Sequence, residues 1–313
     1  MKAFIALFAG LAVSAAAHAA EPLLTPQQLQ SILPNAQVRV IDIRDPQSYA
    51  QNHIPGAVNA PYGQWRGPAS SPGELPPLTK LAELVQALGL DPSVHAVVVS
   101  KGTDATDFGA AARVYWTLKL LGLKELSLLN GGVQSWAQAG LPQDTATVAV
   151  TPTTWQPVFD TTLLATKDQV VQHVKQGSSL LIDARPANFF NGETRAPTAT
   201  VPGTLPGAVN VQHDTWFNKG SGVFVSPDQA RQIAASQPVD PSKETVSFCN
   251  TGHWAATNWF ALSEVLGQPN VKLYPGSMAE WSQDPNALPM ANVPSRVDQL
   301  LIDAKMWANR TFN

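Results

Sequence analysis

The chain says the same thing twice. Val40-Ile41-Asp42-Ile43-Arg44-Asp45-Pro46 in the first half has a counterpart in Leu181-Ile182-Asp183-Ala184-Arg185-Pro186 in the second. Ile54-Pro55-Gly56-Ala57-Val58-Asn59 matches Leu205-Pro206-Gly207-Ala208-Val209-Asn210. Residues 96–100 then match 245–249, 111–116 match 255–260, and 128–132 with Trp136 match 272–276 with Trp281. Matched blocks in one order are the mark of a duplicated unit. The fold must therefore be one that 313 residues can build twice, at the ordinary size of a domain.

Each half alternates strand-like and helix-like segments. In the first, residues 38–43, 94–99 and 125–129 are short apolar runs of the kind buried on both faces of a sheet. Residues 78–88 and 109–121 have helical spacing and are closed by Gly89 and Gly122. In the second, strands over 180–183 and 245–248 alternate with helices over 168–176, 227–236 and 255–266. Ser226 and Pro227 supply an N-cap and a proline at the first helical position. Strict alternation implies an α/β protein of two tandem domains, each a mostly parallel sheet flanked by helices. The domains are read as 20–148 and 166–291, with 149–165 as a linker that lacks periodicity. A helical tail over 292–313 carries Val297, Leu300, Leu301 and Met306 and packs across a domain surface, dimerisation being the alternative. Residues 188–206 form a loop with no first-half counterpart of that length, and long loops in compact domains are often functional.

Residues 1–19 read as a signal peptide: Lys2, a small apolar run too short to span a bilayer, and the cleavage form Ala17-His18-Ala19. The mature chain is expected to be periplasmic and free of the membrane. A formal charge of −3 with no basic block argues against nucleic acid as a partner. Six histidines show no metal-ligand spacing, so no metal is expected. Cys249 is the only cysteine, so no internal disulfide forms. It stands directly after a strand, in the loop Cys249-Asn250-Thr251-Gly252-His253-Trp254 that leads into a helix. Ligands of parallel sheets bind at the carboxyl ends of strands. A turn there aims backbone N–H groups at the sulfur, which favours thiolate. The competing reading is a buried inert thiol.

At these residues the chain resembles the rhodanese family, specifically its tandem two-domain sulfurtransferases, over about residues 24–290. The Asp-x-Arg strand ends, Pro-Gly-Ala-Val-Asn, the cysteine loop and the late Gly and Trp carry the resemblance together. It implies a silent first domain, with Ser100 where Cys249 stands, and a first loop (101–109) that is longer and differently built. It also implies that the Cys249 thiolate takes sulfane sulfur from a small-molecule donor, thiosulfate or mercaptopyruvate, as a persulfide. The sulfur then passes to a thiophilic acceptor; no cofactor is implied, and the protein is expected to be a monomer. Substrate contacts are assigned to Asn250, Thr251, Gly252, His253, Trp254 and Arg195, and bracing of the loop to the Asp183–Arg185 pair.

The chain departs from its relatives in charge. Thiosulfate-using members carry basic residues just after the cysteine and an Arg six positions after the Asp; here those positions hold Asn250, Thr251 and Phe189. The remaining cationic candidates are Arg195 and a protonated His253, which reads equally well as a solvent-facing loop residue. His213 and Asp214 read as a surface pair or as cleft lining. Trp136 and Trp281 read as core. A cysteine phosphatase needs Arg six residues beyond the nucleophile, and Ala255 stands there. The alternative that stays open is a non-catalytic sulfur carrier or binding module.

Overall fold

The computed structural model describes residues 20–312, so residues 1–19, read above as a signal peptide, lie outside the described residues. Two parallel sheets organise the chain. The first contains β1 (Leu23–Leu24), β2 (Val38–Asp42), β3 (Val58–Asn59), β4 (His95–Val99) and β5 (Leu126–Leu129), in the order β1-β5-β4-β2-β3. The second contains β6 (Leu180–Asp183), β7 (Val209–Asn210), β8 (Thr245–Phe248) and β9 (Val271–Leu273), in the order β7-β6-β8-β9. Apart from β1 at one edge, the two orders are the same, as duplication requires. Ile41 pairs with Val98 in the first sheet and Ile182 with Ser247 in the second. The central strands are buried along their length because helices cover both faces.

The sequence places the first-half helix four residues too late. It runs from Ala105 to Leu120, because the Asp104 side chain accepts from the Asp107 amide and starts the helix there. The loop before it is therefore residues 100–104, the same length as 249–253 in the second half. The expectation of a longer first loop is corrected accordingly: only its composition differs.

The helix Ala105–Leu120 is buried almost all round, since it lies between its own sheet and the other domain. It packs on Trp254–Trp259, its repeat equivalent, which continues as a π-helical turn, Phe260–Val265. Phe108 sits among Phe217, Phe224 and Phe260 at ring distances of 5.1–5.6 Å, so one apolar core crosses the domain boundary. Glu264, on the π turn, accepts from Tyr115 (2.8 Å) and Lys119 (2.6 Å) of the first domain. The connecting segment is an extended strap against the first domain, with Asp160 N–H donating to Leu120 O at 2.7 Å. The tail is the helix Arg296–Phe312, seated through Ile302, with Val297, Leu300 and Leu301 exposed on its outer side. Among the described residues no helix is long and apolar enough to cross a membrane.

Candidate active site

β8 ends at Phe248, and residues 249–253 turn the chain into the helix Trp254–Trp259. The turn needs Gly252. Its φ is +66°, and a Cβ there would lie 2.5 Å from the Arg113 guanidinium and 2.6 Å from Pro275 O. Ser277 holds the loop from beneath. Its Oγ accepts from the amides of Cys249 (3.0 Å) and Gly252 (3.1 Å) and donates to Tyr274 O (2.8 Å). Ser277 adopts φ +54°, where a side chain costs about 1 kcal/mol, and the two buried amides it satisfies outweigh that. The carbonyls of Cys249 and Asn250 accept from Met278 and Ala279. The amides of Asn250, Thr251, His253 and Trp254 donate to no protein acceptor among the described residues. The four residues that carry these N–H groups line one cavity with Cys249, and unengaged amides of a turn are suited to an anion.

Asp183 and Arg185 stand beside the loop. Arg185 forks onto Asp183 through Nε (2.9 Å) and Nη2 (2.6 Å), and Nη2 also donates to Gly203 O at 2.7 Å. Thr204 Oγ1 donates to the Asp183 carboxylate at 2.7 Å, and Arg185 Nη1 reaches Asn250 Oδ1 at 3.4 Å. A buried ion pair with every oxygen engaged is rigid. It ties β6, the long loop and the cysteine loop together.

The opposite wall comes from the first domain. Cys249, 1% exposed, lines a cavity of about 290 Å³ with Asn250, Thr251, His253, Trp254, Tyr62, Arg66 and Thr106. His253 bridges the domains: Nε2 is 2.6 Å from Thr106 O, and Nδ1 is 2.8 Å from Tyr62 Oη. A carbonyl only accepts, so Nε2 carries the proton, and Nδ1 accepts from the Tyr62 hydroxyl. Tyr62 in turn accepts from Arg66 Nη1 at 2.5 Å. Burial, with Arg66 next in weight, lowers the His253 pKa to about 3. His253 is thus a neutral strut that also lines the cavity, and the expectation of a cation at this position is corrected. Gly109 leaves the room this ring occupies: a Cβ there would lie 3.1 Å from it.

Trp254 donates through Nε1 to Thr106 Oγ1 (3.1 Å) and stacks on His213 at 4.6 Å. His213 is buried and Asp214 exposed; both line a neighbouring cavity on the other side of Trp254 and not the Cys249 cavity. Phe189 meets the Trp254 edge at 6.1 Å. Arg113 is fully buried and donates to Gly252 O (3.1 Å) and Gly73 O (3.0 Å); it has no carboxylate partner among the described residues. Burial and then Arg66 push its pKa down to about 10, so it keeps its charge near neutral pH.

Two assigned substrate contacts lie elsewhere. Arg195 pairs with Asp303 of the tail helix at 2.8 Å and donates to Ala199 O, so it does not reach the cavity. Gly252 points its amide at Ser277 and its carbonyl at Arg113, away from the lining. Tyr62, Arg66, Thr106, Arg113 and Ser277 went unread in the sequence. The repeat held a signal for two of them. Counting on from Asn59 and Asn210 aligns Tyr62 with His213, Trp65 with Trp216 and Arg66 with Phe217. Each domain thus sends this segment across to the other domain's loop.

The first-domain loop is built differently in detail. Gly132, at φ +55°, stands where Ser277 stands and has no hydroxyl to offer. The last matched block is therefore in register as Gly131-Gly132 with Gly276-Ser277, one residue on from the alignment read in the sequence. The Gly102 amide is instead taken by the Asp107 carboxylate. Ser100 stands in place of Cys249, and an acidic side chain occupies the loop's amide face. Among the described residues no group of three His, Cys, Asp or Glu side chains is placed to hold a metal.

Comparison with known proteins agrees with this geometry. The rhodanese-like domain family matches twice, over residues 25–139 and 166–284. The chain is 34% identical over 285 residues to a probable 3-mercaptopyruvate sulfurtransferase of Pseudomonas aeruginosa, covering 84% of this chain and 95% of that protein. It is 31% identical over 274 residues to the sulfur carrier protein TtuD of Thermus thermophilus, covering 83% and 93%. The crystal structure of SseA from Escherichia coli, described as a 3-mercaptopyruvate sulfotransferase, superposes with a TM-score of 0.72 at 26% identity, covering 82% of this chain and 98% of that one.

Proposed function

The chain belongs to the rhodanese-like family, and from that premise we propose that it is a sulfurtransferase whose nucleophile is Cys249. The observation that carries the assignment is the place of the sulfur. It lines a small cavity ringed by four unengaged amides, with two guanidinium groups close by and no carboxylate among the lining residues. Such a field supports an anionic persulfide.

With thiosulfate, the Cys249 thiolate attacks the outer sulfur, forming Cys249 S–S⁻ and releasing sulfite with the electron pair of the broken S–S bond. With mercaptopyruvate, the thiolate takes the sulfur and pyruvate enolate leaves, collecting a proton at carbon. In the second half-reaction a thiophile such as cyanide attacks the terminal sulfur, leaving as thiocyanate and restoring the thiolate. Donor and acceptor are small molecules. Asn250, Thr251 and Trp254 contact the donor, while Asp183, Arg185 and Ser277 keep the loop in shape. Incubation with either donor should add the mass of one sulfur atom to the intact protein and nothing to Cys249→Ser. Equal labelling of both proteins would remove Cys249 from the reaction.

The likeness to a sulfur carrier protein favours a second reading, in which the persulfide is handed on without small-molecule turnover. Multiple rounds of thiocyanate production per protein separate an enzyme from a carrier, which gives a single round. We also propose that residues 1–19 are removed on export to the periplasm and that the mature protein is a monomer. N-terminal sequencing and light scattering of protein from a periplasmic fraction test both; an intact Met1 or a dimer mass would refute them.

A further inference from the structure

The cysteine loop lacks the positive charge that anionic donors need, yet the cavity has it from the other domain. Arg66 follows the 3-10 turn Tyr62–Trp65 and lines the same 290 Å³ space as Cys249. Its guanidinium is held at two points: Nε donates to Pro72 O at 2.5 Å, and Nη1 to Tyr62 Oη at 2.5 Å. Its Cζ stands 5.3 Å from the Tyr62 ring. A guanidinium has five N–H donors. The others meet no acceptor, and Arg66 forms no ion pair, among the described residues. Nothing in the lining neutralises it: the remaining residues are Tyr62, Thr106, Cys249, Asn250, Thr251, neutral His253 and Trp254. The tethers matter, because an arginine fixed by Nε and one Nη presents its remaining edge without first losing rotamer freedom.

We infer that Arg66 is the anion-recognising residue of the Cys249 cavity and that the sulfur donor is a compact anion, an oxyanion of sulfur or a 2-oxo carboxylate. The silent domain thus decides donor specificity. Its Tyr62–His253 contact holds Arg66 in register with the loop it serves. In the repeat, Phe217 occupies the equivalent place, so the charge is present only where the nucleophile is. The inference deepens the sulfurtransferase assignment but does not need turnover to be tested.

The test uses the full mature chain with Cys249→Ala, so that no sulfur moves, and calorimetric titration with sulfite, pyruvate and uncharged methyl pyruvate. At least one of the two anions should bind, and it should bind about tenfold or more tighter than methyl pyruvate. Arg66→Met should erase that preference, and Arg66→Lys should restore a large part of it. Whichever anion shows the larger loss identifies the donor class. In protein retaining Cys249, Arg66→Met should raise KM for that donor more than it lowers kcat. No anion binding in the Cys249→Ala parent, or a preference that survives in Arg66→Met, overturns the inference. So does a parallel loss of methyl pyruvate and anion affinity, which marks a collapsed loop. Anion recognition through Arg66 in a protein that takes up no sulfur would instead overturn the sulfurtransferase assignment alone.

Discussion

His253 shows how one residue's role is set by what surrounds it. Its ring nitrogens are spoken for by Thr106 O and the Tyr62 hydroxyl, and Arg66 stands one bond further on. A proton on Nδ1 would face a hydroxyl already turned to donate, beside a guanidinium. The consequence is a stability that depends on pH with a definite sign. The ordinary value of 6.5 applies to the unfolded chain and about 3 to the folded one. Between those values the unfolded chain binds the proton and the folded one does not. Stability is therefore full above pH 6.5 and declines on acidification towards 3, by at most about 1.4 kcal/mol per pH unit. His253→Gln should flatten the difference in urea midpoint between pH 7 and pH 5. His213 and His95, also lowered by burial, contribute equally to both proteins and cancel in the comparison. An identical pH dependence in variant and wild type would refute the strut.

At the scale of elements, the two strand-loop-helix units are a matched experiment. Both turns span five residues and both are closed by a residue at positive φ, Gly132 or Ser277. What differs is who satisfies the loop amides: a neutral hydroxyl beneath Cys249, an aspartate carboxylate at Gly102. A carboxylate in the concavity repels both thiolate and donor, so replacing the nucleophile alone does not make a second site. Ser100→Cys in a Cys249→Ser background should take up no sulfur from thiosulfate. A persulfide on that protein would mean that Asp107 does not silence the loop.

At the scale of the molecule, the first domain is half of the candidate active site. It supplies Tyr62, Arg66 and Thr106 to the cavity, Arg113 to the back of the loop, and an aromatic face of Phe108, Tyr115 and Trp116 to a common core. Burying side chains of that size stabilises by roughly 1.5–3 kcal/mol each, so the halves are not independent. The second half expressed from residue 146 should expose Phe217, Phe224 and Phe260, associate with itself, and bind neither sulfite nor pyruvate. A monomeric fragment that loads sulfur at the rate of the whole chain would contradict this.

The amino-acid sequence was enough for the architecture, because an in-order repeat, buried strand runs and capped helices are local signals that survive without neighbours. It was enough, too, to single out Cys249, since Ser100 gave an internal control. It misplaced the start of the helix at Ala105, where a side-chain cap outweighed the glycine at 109. It also placed Arg195 at the cavity and offered His253 as a cation, because charge near a motif in sequence says nothing of where a side chain ends. The wall of the cavity opposite Cys249 belongs to residues about 190 positions away from the loop they touch, as Tyr62 and His253 are. Only packing of one domain on the other decides such contacts, and that packing rests on an apolar interface whose pairings leave no periodic trace in either half alone.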